Sequence, residues 1–250
     1  ALATFSSVIL LRFFPLSKKS FWLFVAGMVV MTVNLIFITP GRSGYLAFMV
    51  FVMVAIFVAV PGKRRYVILV MVPFIVGMCL YASPVARDRI MKGVSEIAAL
   101  EQSEQLTSMG IRMVMWKNTV GILKDPGFPL LAGYGTGGFR EAYRPQVAGQ
   151  TGWKAEVVDD CHNQYMRIAV EHGGIGLLLF LGFIAACFRQ SVNRPFKVLG
   201  LGALIAWCAT SLFSGHFGTA LEGRLIFIWL GVMLAMPSAP PADPEPPVIE

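Results

Sequence analysis

The chain alternates long apolar stretches with short polar connections. Residues 20–39, 43–60, 66–82, about 170–188, 198–214 and 224–236 are nearly free of charge, and residues 1–14 have the character of the end of a further stretch. Crossing about 30 Å of hydrocarbon takes roughly 20 mostly apolar residues in a helix, because only a helix satisfies its own backbone hydrogen bonds in lipid. The pattern therefore predicts six complete membrane spans and one partial span, the last being the shortest. Between the third and fourth spans lie some ninety residues, far more than a connection needs. Within them, residues 85–105 read as a helix of mixed charge, and residues 107–123 as an amphipathic helix closed by Asp125-Pro126. Gly133-Tyr134-Gly135-Thr136-Gly137-Gly138 reads as a tight loop, and the chain is helical again from about Asp160.

Composition agrees with a lipid environment: 56% of the residues are hydrophobic and 14% charged. The net charge of +7 would suggest nucleic acid if it formed a patch, but it is dispersed. Lys18 and Lys19, then Lys63, Arg64 and Arg65, then Arg189, Arg194 and Lys197 fall in alternate connections without any acidic residue. By the positive-inside rule these face the cytoplasm. Residues 83–172 carry ten Lys or Arg and ten Asp or Glu and fall on the opposite side. The excess charge encodes orientation, and no nucleic-acid partner is expected.

Four segments follow: transmembrane helices over 1–82, an outward loop domain over 83–169, transmembrane helices over 170–236, and a tail over 237–250. The tail holds six prolines and three acids, a composition that predicts disorder. The chain begins with Ala1 inside an apolar run, without an initiator Met or a signal-type cleavage site, and reads as part of a longer protein. Cys79, Cys187 and Cys208 lie in spans and Cys161 alone in the loop, so no disulfide framework is expected.

The candidate chemistry sits outside the hydrocarbon. Arg42, in Pro40-Gly41-Arg42-Ser43-Gly44, stands where a helix N-terminus points outward, which favours an anion. It reads equally as a phosphate ligand or as an interfacial anchor. Arg112 and Trp116 are four residues apart on the loop helix, with Thr119 nearby. They share a face as a cation–π pair or as a phosphate-binding cation beside an aromatic ring. His162, in Asp159-Asp160-Cys161-His162-Asn163-Gln164-Tyr165, could take a proton from a hydroxyl, with a neighbouring carboxylate holding its tautomer. The alternatives are a structural histidine or a metal ligand, and the spacing matches no metal motif. The glycine run could offer amides to phosphate or sugar, or be a simple turn. His172 and His216 rank below His162.

Taken in order, GRSG at 41–44, the Arg112–Trp116 helix, GYGTGGF at 133–139, HNQY at 162–165 and EHGGIGLLLFL at 171–181 resemble the bacterial O-antigen ligase and polymerase superfamily, and most closely its ligases. The resemblance covers roughly residues 40–190. It implies an all-α polytopic protein of the inner membrane, here six transmembrane helices plus a partial one, with a large, mainly helical periplasmic loop. The implied activity is inverting, metal-independent glycosyl transfer of O-antigen from undecaprenyl diphosphate to lipid A-core, without a cofactor. Carried onto this sequence, Arg42 and Arg112 hold the donor diphosphate and His162 acts on the acceptor hydroxyl. Ser43, Trp116 and Asn163 complete the substrate-binding set. An O-antigen polymerase and a protein O-oligosaccharyltransferase are the related alternatives. A transporter of the lipid-linked glycan is disfavoured because the polar cluster lies outside the spans and not at the bilayer midplane.

Overall fold

The computed structural model describes residues 1–38, 42–98 and 108–235, without the side chains at positions 42, 89 and 95–98. The described chain is all-helical. In order it forms α1 (Leu2–Phe13), α2 (Lys18–Val33, prolonged by a π turn over Asn34–Ile38), α3 (Arg42–Ala59), α4 (Arg64–Ala82) and α5 (Pro84–Ala98). Then come α6 (Ser108–Lys124), the short α7 (Phe139–Tyr143), α8 (Gln164–Arg189), α9 (Arg194–Thr210) and α10 (Glu222–Leu234). A helix stands at each apolar stretch. Lys18–Ile38, Arg64–Ala82 and Gln164–Arg189 are long and apolar enough to cross a membrane, and Leu2–Phe13 and Ser43–Ala59 are shorter apolar helices.

Local chemistry accounts for the helix ends. The Ser17 hydroxyl accepts from the Ser20 amide at 3.2 Å and caps α2. Ser83 does two jobs between α4 and α5: its hydroxyl donates to the Ile36 carbonyl at 2.8 Å and accepts from the Ala86 amide at 3.3 Å. This ties the end of α4 to the end of α2. The expected helix over 85–105 is present as Pro84–Ala98, and its remainder lies outside the described residues, as does the tail. The fourth expected span begins earlier than its apolar stretch, at Gln164, because Asn163 Oδ1 accepts from the amides of both Tyr165 and Met166 at 3.1 Å.

Two larger cores and a smaller cluster around Tyr45 hold the described residues together. In the first, α9 lies between α3 and α10, with Phe5, Ile9, Phe51, Leu199, Leu204, Ile226 and Leu230 buried together. Gly202 lets the Phe5 ring lie directly on the α9 backbone, where a Cβ would collide with it. The second core belongs to the loop domain. Ile122 of α6, Phe139 and Tyr143 of α7, Val147, Cys161 and Val170 of α8 are buried in one cluster. The long loop thus folds onto the first turns of α8 and shares a hydrophobic centre with them.

The loop domain is also locked to α8 through its backbone. At Gly173, with φ 60° and ψ −155°, the helix breaks. The segment from Leu130 to Gly135 docks there: Tyr134 and Gly135 amides donate to the Val170 and Glu171 carbonyls at 2.9 and 2.7 Å, while Gly174 and Ile175 amides donate to the Leu130 and Leu131 carbonyls at 2.8 and 3.1 Å. The break frees helix groups, and the docked segment satisfies them. Close approach needs glycine on both sides. A Cβ on Gly133 would meet the Glu171–His172 peptide, and one on Gly173 would meet the Leu131 carbonyl.

Candidate functional site

The site is built around the start of α8. Asp160 Oδ1 accepts from the His162 backbone amide at 2.9 Å, closing a turn in which His162 has φ 56°, the one positive φ at a non-glycine position among the described residues. Such a conformation is uncommon for a side chain with a Cβ, although histidine tolerates it better than most. It leaves the His162 side chain exposed, while Cys161 beneath it is fully buried. Burial pushes the Cys161 thiol up to about 11, so Cys161 serves as an anchor in the core and stays protonated at neutral pH.

Two elements clamp this turn. From α6, Trp116 Nε1 donates to the Cys161 carbonyl at 2.9 Å. From the connection between α9 and α10, Ser211 and Leu212 present their carbonyls to the Gln164 amide at 2.9 Å and to Asn163 Nδ2 at 3.1 Å. Gln164 Oε1 in turn accepts from the Gly218 amide at 3.2 Å. The Phe213 ring lies 5.9 Å from that of Trp116, so the two clamps touch each other. Buried Gly215 lies directly against the Asp160 carboxylate, where a Cβ would collide with Oδ2.

Of the residues expected at the site, four are gathered here. Trp116, His162 and Asn163 share this hydrogen-bonded frame, and Arg112 stands one helical turn before Trp116 on α6. Arg112 is half-buried, and its Nη1 approaches the Ser108 hydroxyl at 3.4 Å. Trp116 directs its indole N–H to the His162 turn. Ser43 lies in the first turn of α3, and of Arg42 the backbone alone is described, as the first residue of α3. That helix start lies near the C-terminal ends of α2 and α4: Tyr45 is buried with Ile36, Leu80 and Ala86.

Two expectations change. No carboxylate orients the His162 ring among the described residues: Asp160 is bonded to the backbone, and Asp159 pairs with Arg140 at 2.8 Å in an exposed ion pair. The second concerns the glycine run, whose Tyr134 and Gly135 amides are spent on α8 carbonyls and are not free for a ligand. Gly133 and Gly138 serve close packing, while Gly135 and Gly137 take positive φ with open space around them.

The structure adds residues that the ranking of histidines had set aside. His216 Nδ1 lies 2.6 Å from Glu222 Oε2, which also accepts from the Thr219 hydroxyl at 3.2 Å. The signal was available: His216 and Glu222 lie in the connection between α9 and α10, which the charge pattern assigns to the same side as the long loop. Below the turn, Arg167 Nε lies 3.4 Å from buried Glu171 Oε2, and Gly218 packs near the Arg167 guanidinium.

Comparison with known proteins bears on the whole arrangement. A protein from Haemophilus influenzae (strain Rd), described only as uncharacterized, is 27% identical over 187 residues, covering 72% of this chain and 46% of the relative. The chain thus spans about half the length of the curated relative it matches. The family model described as O-antigen ligase matches residues 26–181, a stretch that includes Arg42, Arg112 and His162 and ends before His216. Its members are glycosyltransferase-like membrane enzymes. With the match extending over more than half of the chain, from the second apolar helix to the middle of α8, the protein belongs to the O-antigen ligase family.

Proposed function

We propose that this protein transfers O-antigen from undecaprenyl diphosphate to lipid A-core, at a site on the periplasmic face of the bacterial inner membrane. Six spans and a partial one carry the site, and residues 83–169 form the periplasmic domain. The acceptor hydroxyl oxygen attacks the anomeric carbon from the face opposite the diphosphate. A new glycosidic bond forms as the bond to the diphosphate oxygen breaks, and the electron pair leaves with the phosphate. Inversion follows from the single displacement.

Charge develops at two places, and the residues divide accordingly. Arg42 and Arg112 stabilise the departing diphosphate, a task for which planar guanidinium groups suit phosphate oxygens. His162 accepts the proton of the acceptor hydroxyl. Trp116, Ser43 and Asn163 bind or frame the substrates.

The observation that carries this reading is the hydrogen bond from Trp116 to the Cys161 carbonyl. It joins the helix bearing Arg112 to the turn bearing His162, which supports a cation and a proton acceptor working at one site. The test is reconstitution with purified donor and acceptor supplied separately. A ligase extends lipid A-core only when both are present. Chain growth on the lipid-linked donor alone identifies a polymerase and overturns the proposal, and the absence of both products while the donor crosses the bilayer identifies a transporter.

A further inference from the structure

The turn between α6 and α7 does not resemble the rest of the loop domain. From Pro126 to Phe139 there is no charged residue, although the flanking segments are densely charged. At its tip Leu130 and Leu131 are 70% and 68% exposed, with the rings of Phe128 and Tyr134 paired at 5.6 Å behind them. Two adjacent leucines open to water in a turn are costly in an aqueous domain.

Their height is fixed. Because Gly174 and Ile175 donate to the Leu130 and Leu131 carbonyls, the tip is level with the first turn of α8 after its break. Leu178 and Leu179, both about 70% exposed, follow three to four residues later, about 5–6 Å further along the helix, in a helix apolar enough to cross a membrane. Between tip and helix runs a groove of about 510 Å³ lined by Ala132, Ile168, His172, Ile175, Gly176 and Leu179. The apolar surface of the tip therefore continues the lipid-facing surface of α8.

We infer that the Leu130–Leu131 turn dips into the bilayer, its two side chains among the acyl chains of the leaflet that α8 enters, with Phe128 and Tyr134 at headgroup level. Aromatic residues favour that level, and apolar tips of otherwise aqueous domains gain by burial in hydrocarbon. The backbone lock then sets the depth of the loop domain over the membrane, holding the His162 turn at a constant height above the lipid surface. The inference rests on α8 crossing the membrane and not on the reaction proposed above.

Site-directed fluorescence tests it. Leu131→Cys and, as reference, Leu178→Cys are each introduced with Cys79→Ala and labelled with an environment-sensitive NBD maleimide. The protein is then reconstituted in vesicles of phosphatidylethanolamine and phosphatidylglycerol. Cys161 and Cys187 are buried, and unsubstituted protein carrying Cys79→Ala sets the labelling background. The expected result is a blue-shifted emission at both positions, resistant to iodide. Lipid carrying a shallow nitroxide should quench the Leu131 label more strongly, and lipid carrying a deep nitroxide the Leu178 label. An unshifted, iodide-quenched signal at Leu131 beside a lipid-quenched signal at Leu178 overturns the inference and leaves the span intact. A blue-shifted Leu131 signal that neither quencher reaches means that protein covers the tip, which also overturns it. Iodide quenching at both positions removes the span itself.

Discussion

His216 Nδ1 and Glu222 Oε2 lie 2.6 Å apart, across the connection that also clasps the start of α8. A carboxylate fixed at Nδ1 leaves Nε2 as the ring nitrogen available to a partner. His162, by contrast, has its backbone fixed by Asp160 and, among the described residues, no partner for its ring. The loop that clasps the His162 turn thus holds an oriented imidazole of its own.

Glu222→Gln removes the charge of that pair while keeping its size. A hydrogen bond to a charged group contributes about 1.5–3 kcal/mol, and Glu222 is partly exposed, so the lower end applies. The variant tests whether His216 takes part in the reaction beside His162: a part in catalysis lowers turnover about tenfold, the equivalent of 1.4 kcal/mol, with donor affinity unchanged. Steady-state kinetics on reconstituted protein checks this, with Thr219→Val as a milder companion. Unchanged kinetics in Glu222→Gln would make the pair a surface ornament of the loop.

Gly173→Ala should be far more damaging than its chemistry suggests. The position combines φ 60° with ψ −155°, a region open essentially to glycine alone, and a Cβ there would meet the Leu131 carbonyl carbon at 2.5 Å. The strain costs about 1–3 kcal/mol, and the clash adds to it by breaking the docked segment. Thermal unfolding in detergent should show a clear loss of stability. Gly182→Ala in the same helix, where an added Cβ meets nothing within 4 Å, should be neutral or slightly stabilising because alanine favours a helix by about 1 kcal/mol.

These glycines mark the limit of what the chain discloses by itself. The helices were legible because hydrophobic length and charge placement are local properties, and Asp125-Pro126 stops α6 by a local rule. The partnership of Gly133 with Gly173 is not local. Either glycine alone reads as a turn or a flexible helix, and only the docked backbone explains why both must lack a Cβ. The same holds for the site. Arg42, Arg112 and His162 could be named from motif order, but the bond from Trp116 to Cys161 joins residues 45 apart, and no periodicity encodes it. His216 ranks low in the sequence because it sits in a short loop between the last two spans, and Glu222 becomes its partner only when that loop folds back on itself.

Arg42→Ala and Arg112→Ala should each lower transfer by about 10²–10³-fold, the range typical of removing one group that stabilises developing charge. Membrane insertion should be unaffected, since both residues lie at the ends or outside of the apolar stretches. Lysine at either position should restore activity only in part, because a point charge does not reproduce the bidentate fork of a guanidinium. Activity should also survive excess EDTA, the charge being met by arginine and not by a bound cation. Restoration of an EDTA-inactivated protein by a single divalent ion would transfer the role to Asp159, Asp160 and His162.

His162 calls for a variant that separates its ring from its backbone. Alanine at this position loses the imidazole and also resists φ 56°, so an inactive His162→Ala protein would not say which loss mattered. Asparagine is among the residues most at ease in the left-handed region and keeps the amide that donates to Asp160 Oδ1. His162→Asn should therefore fold, insert and bind the lipid-linked donor as the unsubstituted protein does. Its transfer rate should nonetheless fall by about 10²–10⁴-fold, the usual contribution of a general base. If His162→Asn retains most of the transfer rate, the imidazole that takes the proton is another. His216→Asn, measured in the same assay, should then abolish transfer.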